Sequence, residues 1–348
     1  MDSTQLWSCE QLVLCRDPAV GLRGVIAIDD TTLGPGLGGV RLKAYGSDAE
    51  AIVECQRLAR GMTLKNALAG VPFGGAKSVI VASGESDDRE ALMERFGQFV
   101  ARAGGAYLPG VDMGTTTADL ATIAAGGVEV SCSEEDPSPW TAHGVAAAIA
   151  AAVAHVYDGA DLTGVRVLVQ GTGHVGACLA RDLADAGAEL LVADLDEARA
   201  AALCAEIGGT VVAPGDVLET PCEVFAPCAV ARVVNPESVD RLACRIVAGA
   251  ANDTLADRDS GSRLAARGIV YVPDFLANAG GVVHIHGLRE GWDEDRLRVE
   301  VGAIGDRARD VLEEAEATGA PPTVAAERRA VERLREARAA VAGEGVAA

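Results

Sequence analysis

The sequence predicts an α/β protein of two domains, the second built on a doubly wound parallel sheet, and three observations predict it. A chain of 348 residues has room for two cores of ordinary size. Beyond residue 164, five continuous apolar runs alternate with helical stretches: VRVLVQ (165–170), ELLVADL (189–195), CEVFAPC (222–228), CRIVAGAAND (244–253) and GIVYVPD (268–274). Continuous apolar runs of that length are the mark of strands buried on both faces by helices. Before about Cys132 strand-like and helical runs also alternate, but less regularly, as in a separate α/β domain.

In the N-terminal part, EQLVLCRD (10–17), GLRGVIAIDD (21–30) and GGVRLKAY (38–45) read as strands, the third set off by the turn sequence GPGLGG. Ser47 and Asp48 can cap a helix through 49–67, because a short polar side chain there accepts from the first free amides. KSVIVA (77–82) is the next strand, 87–104 a helix, and AYLPGVD (106–112) a strand ending at Asp112. The acidic, proline-containing stretch SCSEEDPSPW (131–140) reads as a linker to the alanine-rich helix 141–156. The boundaries expected are therefore 1–136, 137–290 and 291–348, the last a set of helices packing back on the first domain, with GEGVAA at its end frayed.

Composition narrows the function. A formal net charge of −21 repels phosphate backbones and anionic lipid, so neither nucleic acid nor membrane is expected as a partner. GVAAAIAAAVAHV is too short to span a bilayer, and MDSTQLWSCEQ lacks the basic and apolar regions of a signal peptide, so a cytoplasmic protein is expected. The nine cysteines are odd in number and without a CxxC pair, which fits reduced thiols; no metal site is expected, including at Cys222 and Cys228.

Only three lysines, Lys43, Lys65 and Lys77, stand against twenty-seven arginines, and the last two fall within GMTLKNALAGVPFGGAKSVI. A lysine in such a glycine-rich, apolar setting suits chemistry that needs a compact ammonium able to lose its proton, which a guanidinium cannot do. The second motif is GTGHVG (171–176), directly after the strand VRVLVQ and opening the helix 174–187. Gly171 permits the tight turn, Gly173 lets a pyrophosphate approach the backbone, and Gly176 allows close helix–strand packing. The helix start, with Thr172, His174 and Val175 around it, offers amides and a favourable dipole to phosphate. Asp194, closing the next strand, is placed for the ribose 2′-hydroxyl and would repel a 2′-phosphate, so the expected cofactor is NAD.

The ordered motifs GGVR (38–41), GMTLKNALAG (61–70), GGAK (74–77), GVDMGTT (110–116), GTGHVG, FAPCA, AGAAND and LANAGG (276–281) resemble those of the glutamate, leucine, phenylalanine and valine dehydrogenase family, closest to its leucine/valine/phenylalanine branch. The resemblance spans about Cys9 to Arg335. It implies a substrate-binding domain, a Rossmann domain and a cleft between them, an oligomeric assembly, and reversible oxidative deamination of an L-amino acid to a 2-oxo acid and ammonia.

Carried over by position, Lys65 resembles the residue that holds the substrate carboxylate, and Lys77, ending the glycine-rich turn, the lysine that activates water. Burial and neighbouring Lys65 would favour loss of its proton. Asp112 resembles the carboxylate that exchanges a proton with the substrate amine, Gly39 and Asn278 resemble positions touching substrate or nicotinamide, and Asn252 a cofactor contact. Glutamate-specific relatives carry a lysine where Leu37 stands, so a second substrate carboxylate would be buried without a cation, and an apolar side chain is expected. Gly110, Val282 and Ile285 match other pocket positions and keep the wall small or aliphatic.

The chain departs from the branch at Ala76 in GGAK, at His143, and at His284 and His286 in VVHIHGLREGW. The last two either meet an unusual substrate side chain or are ordinary residues on a solvated helix face, the reading preferred from sequence. The same chemistry on an unusual aromatic or non-protein amino acid in specialised metabolism is therefore an alternative. A reading of another class, an idle NAD-binding module, would predict loss of Lys65, Lys77 or Asp112, and all three are present.

Overall fold

The structure, a computed structural model, describes residues 8–82, 88–131 and 136–344, with the backbone alone for 341–344. It divides into two compact units: 1–136 together with 330–348, and 137–329. Parts of the linker sequence and of the C-terminal GEGVAA lie outside the described residues.

The first unit is organised on a five-stranded sheet, β1 (Gln11–Asp17), β2 (Leu22–Asp30), β3 (Gly36–Lys43), β4 (Gly74–Val81) and β5 (Tyr107–Val111), in the order β1-β2-β4-β3-β5. The first three neighbours pair antiparallel and β4, β3 and β5 pair parallel. Side chains alternate across such strands, so each face collects one parity. One face carries Ile26, Ile28, Val40, Ala76 and Ile80 into a core with Phe96, Leu120 and Ile123 of α2 (Arg89–Ala101) and α3 (Thr117–Ala125). The other carries Val25, Ala27, Val79 and Val81 against Ala51, Cys55 and Ala59 of α1 (Asp48–Ala69), whose start is capped by Ser47.

Two features differ from the sequence reading. GGAK is no turn: β4 begins at Gly74, three residues before the expected strand. Both glycines are in the strand because other parts of the chain lie close: a Cβ on Gly74 would stand 2.0 Å from Asp30 O, and one on Gly75 2.1 Å from Thr63 Oγ1 of α1. The helix α3 was not expected, although Thr116 and Asp119 form a reciprocal capping box at its start.

The second unit holds a parallel six-stranded sheet, β6 (Arg166–Gln170), β7 (Glu189–Ala193), β8 (Thr210–Val211), β9 (Val224–Pro227), β10 (Ile246–Val247) and β11 (Val270–Tyr271), in the order β11-β10-β9-β6-β7-β8. The strand order reverses between β6 and β9, which is where doubly wound sheets bind ligands. The short strand β8 was not expected. The helices α4 (Ser138–Val156), α5 (His174–Asp185), α6 (Glu197–Ile207), α7 (Arg258–Ala266), α8 (Asp274–Ala277), α9 (Gly280–Glu290), α10 (Glu294–Gly302) and α11 (Ile304–Thr318) complete it.

The expectation that everything after residue 290 returns to the first domain is corrected: α10 and α11 belong to the second unit and pack on α4. Small residues permit the approach, since a Cβ on Gly305 would meet Ala147 O at 3.0 Å and one on Gly144 would meet Ile304 Cδ1 at 2.7 Å. Only the later part of α12 (Pro322–Glu344), from Ala330, groups with the first unit. There Arg333 Nη1 donates to Ala67 O at 2.9 Å, satisfying a carbonyl at the end of α1.

Candidate active site and dinucleotide loop

Lys77 lies in the middle of β4 with the parity of Val79 and Val81, so its side chain leaves the sheet on the α1 face. Next to it, β3 presents Gly39, and beyond that Asp112 directly follows the end of β5. The lysine crosses over Gly39 to reach the carboxylate: Lys77 Nζ stands 3.1 Å from Asp112 Oδ2, the two side chains 8% and 18% exposed. A Cβ on Gly39 would lie 3.2 Å from that Nζ and 2.6 Å from Asp112 Cβ, so only glycine leaves the passage open.

The loop after β5 is held in place. The Asp112 amide donates to Thr115 Oγ1 at 3.0 Å, and that hydroxyl donates to Val40 O at 2.7 Å. Beneath the sheet, Tyr107 Oη donates to Gly38 O at 3.0 Å, fixing the peptide before Gly39. Arg41, two residues along β3, donates from Nε to Asp112 Oδ2 at 2.8 Å. Burial works to raise the Asp112 carboxyl, but the Lys77 ammonium and the Arg41 guanidinium outweigh it and hold it at about 2. Asp112 is therefore a carboxylate throughout the neutral range.

Lys65 is half-buried on α1, two residues after the Thr63 that packs on Gly75. Leu37 is buried on β3 with the parity of Gly39, and Gly110 faces Ser131, whose Oγ would lie 2.6 Å from an added Cβ. Part of the space expected over Gly110 is thus taken by a hydroxyl. Arg41 was missed as a site residue, although it ends the GGVR motif and its parity on β3 matches that of Gly39.

In the second unit the glycines of GTGHVG occupy three different situations. Gly171 has a φ of +98°, the left-handed region that favours glycine. A Cβ on Gly176 would lie 1.9 Å from Gly171 O, so α5 packs directly on the turn. Gly173 caps α5 with no heavy atom within 4 Å of an added Cβ, and no side chain caps that helix start. Open space before the amides of a helix start fits a pyrophosphate. Thr172 is buried, Val175 half-buried and His174 exposed. Asp194 Oδ2 accepts from the Thr172 amide at 2.6 Å and from its hydroxyl at 2.8 Å. Burial works to raise its carboxyl, but these bonds and the Asp196 amide outweigh it and hold it low, so an anion stands where the ribose hydroxyls would come. These residues fit NAD.

Asn278 and Asn252, far apart in sequence, are brought together: Asn278 Nδ2 donates to Asn252 Oδ1 at 2.9 Å and to Ala250 O at 3.0 Å. Asn278 Oδ1 is buried and accepts no hydrogen bond, which leaves it for a donor from a ligand. Val282 is buried and Ile285 half-buried on α9. The solvated-face reading of the histidines is corrected. His284 is 1% exposed and stacks on Trp140 at 5.9 Å, while half-buried His286 meets the Trp292 ring edge-on at 4.9 Å. Two tryptophans, invisible to local periodicity, cover what would otherwise be a wet face. His143 is half-buried on α4, its Nε2 3.7 Å from a Cβ added to Gly302.

Among the described residues no group of three or more His, Cys, Asp or Glu is placed to hold a metal, and no helix is long and apolar enough to cross a membrane. Burial pushes the thiols of Cys222 and Cys228 up to about 12, which leaves them neutral.

A doubly wound domain with a dinucleotide loop, joined to a unit presenting a buried lysine and carboxylate, defines a nicotinamide-dependent oxidoreductase. Residues 10–126 match the Glu/Leu/Phe/Val dehydrogenase dimerisation domain, and residues 191–343 match the Glutamate/Leucine/Phenylalanine/Valine dehydrogenase family. The chain is 39% identical over 339 residues to leucine dehydrogenase of Thermoactinomyces intermedius, covering 96% of this chain and 93% of that one. It is 38% identical over 340 residues to valine dehydrogenase of Streptomyces albus, covering 95% and 93%. Its fold is similar to the crystal structure of L-tryptophan dehydrogenase from Nostoc punctiforme, with a TM-score of 0.84, 33% identity, and coverage of 97% and 98%. The chain belongs to the Glu/Leu/Phe/Val dehydrogenase family and is an amino-acid dehydrogenase that uses NAD.

Proposed function

We propose a division of labour among the residues of this chain for its reaction, the reversible NAD-dependent oxidative deamination of an apolar L-amino acid to the 2-oxo acid and ammonia. The observation that carries it is the contact of Lys77 with Asp112 across Gly39. Lys65 holds the substrate carboxylate by charge, since an ammonium is a point donor to it. Asp112, ionised at neutral pH, accepts a proton from the substrate ammonium, which frees the nitrogen lone pair. When bound, NAD supplies the acceptor for the hydride that leaves the substrate Cα. Lys77, in its neutral form, then takes a proton from the water that adds to the resulting imine carbon; Asp112 returns its proton to the nitrogen and, as ammonia departs, takes up the proton of the new hydroxyl so that the carbonyl forms. Gly171, Thr172, Gly173, His174, Val175, Gly176, Asp194 and Asn252 would hold the dinucleotide, and Asn278, set by Asn252, would offer it a further polar contact.

Leu37 supports an apolar substrate, because no cation stands at that buried position to match a second carboxylate. Val282 and Ile285 on α9 are aliphatic as well, in keeping with an apolar substrate. An aromatic or unusual substrate is the second reading, favoured by His284 buried against Trp140 on the same helix as those two residues. A homo-oligomer in the cytoplasm completes the proposal, supported by the match to a dimerisation domain.

The test is NADH formation with NAD and, in turn, Leu, Val, Ile, Phe, Trp and Glu. Turnover of an aliphatic or aromatic member with Glu silent is expected; turnover of Glu would overturn the argument from Leu37. The Lys77→Ala variant should lose about 10²–10⁴-fold in kcat while NADH binding, followed by its fluorescence, is kept. Unchanged turnover would remove Lys77 from its role.

A further inference from the structure

Arg41 is set deeper in the site than its place at the end of a sequence motif suggests. Its side chain is 13% exposed and bridges two carboxylates: Nε donates to Asp112 Oδ2 at 2.8 Å, and Nη1 donates to Glu54 Oε1 at 2.5 Å. Glu54, on α1, is also met by Lys43 Nζ at 3.3 Å. Charges therefore alternate from Lys43, 44% exposed, through Glu54, Arg41 and Asp112 to Lys77, 8% exposed. Both cations make their closest approach to Asp112 at Oδ2, and among the described residues no hydrogen bond is seen to its Oδ1.

We infer that Arg41 is a positioning residue for the reaction, holding Asp112 by Oδ2 and leaving Oδ1 as the oxygen that exchanges a proton with the substrate nitrogen. The inference rests on the role assigned to Asp112 above. A guanidinium suits this task. Its planar fork presents separate nitrogens to Asp112 and Glu54, and it stays charged at any working pH, so the anchor does not enter the proton traffic. Glu54 balances the second face of the guanidinium, so the strand is not left with two cations around one carboxylate. By taking a share of Oδ2, Arg41 divides that oxygen between two cations, so Lys77 does not hold Asp112 alone. A lysine at position 41 would offer one nitrogen to two carboxylates and could not hold both in the same way.

The experiment compares the wild type with Arg41→Gln, Arg41→Lys and Asp112→Asn, each with and without added guanidinium at low millimolar concentration. Arg41→Gln should lower kcat by about 10²-fold, with KM for the amino acid changed by less than about threefold and NADH affinity unchanged. Guanidinium should restore roughly tenfold of that loss, and restore nothing in Asp112→Asn. Arg41→Lys should recover less than guanidinium does. If Arg41→Gln fails to fold, the pair Arg41→Gln with Glu54→Gln, which removes both charges of the bridge, takes its place with the same expectation. A kcat within about threefold of wild type overturns the inference, as does a loss that guanidinium leaves untouched in a folded protein. Wild-type turnover in Asp112→Asn would instead overturn the role of Asp112, so the two failures are told apart.

Discussion

A methyl group at position 39 would lie 2.6 Å from Asp112 Cβ, 2.9 Å from Val111 O and 3.2 Å from Lys77 Nζ. Two of these neighbours are the side chains proposed above to carry the proton transfers and the third is backbone, so the strand cannot yield without moving them. Gly39→Ala is expected to lower kcat by about 10²-fold through displacement of about 1 Å, and to cost about 1–3 kcal/mol of stability through overpacking. Steady-state kinetics and thermal melting check the two effects separately. The role of this glycine was partly legible: GGVR marked position 39, but as a backbone contact for substrate rather than as the gap through which Lys77 passes. The partner that makes the gap matter, Asp112, lies more than seventy residues on, and no local pattern joins them. Arg41 was hidden for the same reason and by numbers, since one arginine among twenty-seven carries no signal of its own.

The elements that sequence predicted best are those where pattern and propensity agree. The apolar runs of the second unit fold as the parallel strands β6, β7, β9, β10 and β11, and Ser47 caps α1 as expected. Where a residue is chosen for its neighbours, the reading failed. Gly74 and Gly75 resemble a turn because glycine is the usual turn residue, yet they are strand positions emptied of side chains, Gly74 so that the backbone at Asp30 and Gly34 can lie close and Gly75 so that α1 can. His284 resembles a solvated residue because only the tertiary fold brings Trp140 over it. The turn into α5 makes the distinction testable. Gly176→Ala would force a Cβ to 1.9 Å from a backbone oxygen, so it should lower the melting temperature and weaken NADH binding together. Gly173→Ala has a φ of −66° and open space, so the melting temperature should hold while NADH affinity falls by about tenfold or more, as the methyl enters the room left for phosphate. Thermal melting and NADH fluorescence titration separate the two variants. Equal melting losses in both would contradict the separate roles of these glycines.

For the whole molecule, acidity should be the weak side. Asp112 is held at about 2 against an ordinary 3.8, and Asp119, Glu54 and Glu314 are also held low: Asp119 first by hydrogen bonds from Arg89, Glu54 by Arg41 and Lys43 and Glu314 by Arg328 and Arg329, which overcome burial. A carboxyl whose value is depressed by folding contributes stability above its unfolded value and loses it as pH falls through its folded one. Melting temperature should therefore be insensitive to these groups above about pH 5 and drop between about pH 4 and pH 2. Asp112→Asn should make that drop shallower, and a melting curve series across this range checks it; an unaltered slope would mean that the carboxylate is not held by its two cations.

The first unit is interrupted in sequence, and that has a consequence for how the protein is made. Lys77, Asp112 and the sheet between them are translated early, but Arg333, which closes the end of α1, and Arg338, which meets Thr32 Oγ1 at 3.0 Å, come from the last residues of the chain. At about 5–20 residues per second, the intervening 137–329 occupies the ribosome for roughly 10–40 s. The dinucleotide-binding half is contiguous and can finish folding in that interval, so the half that emerges first is completed last.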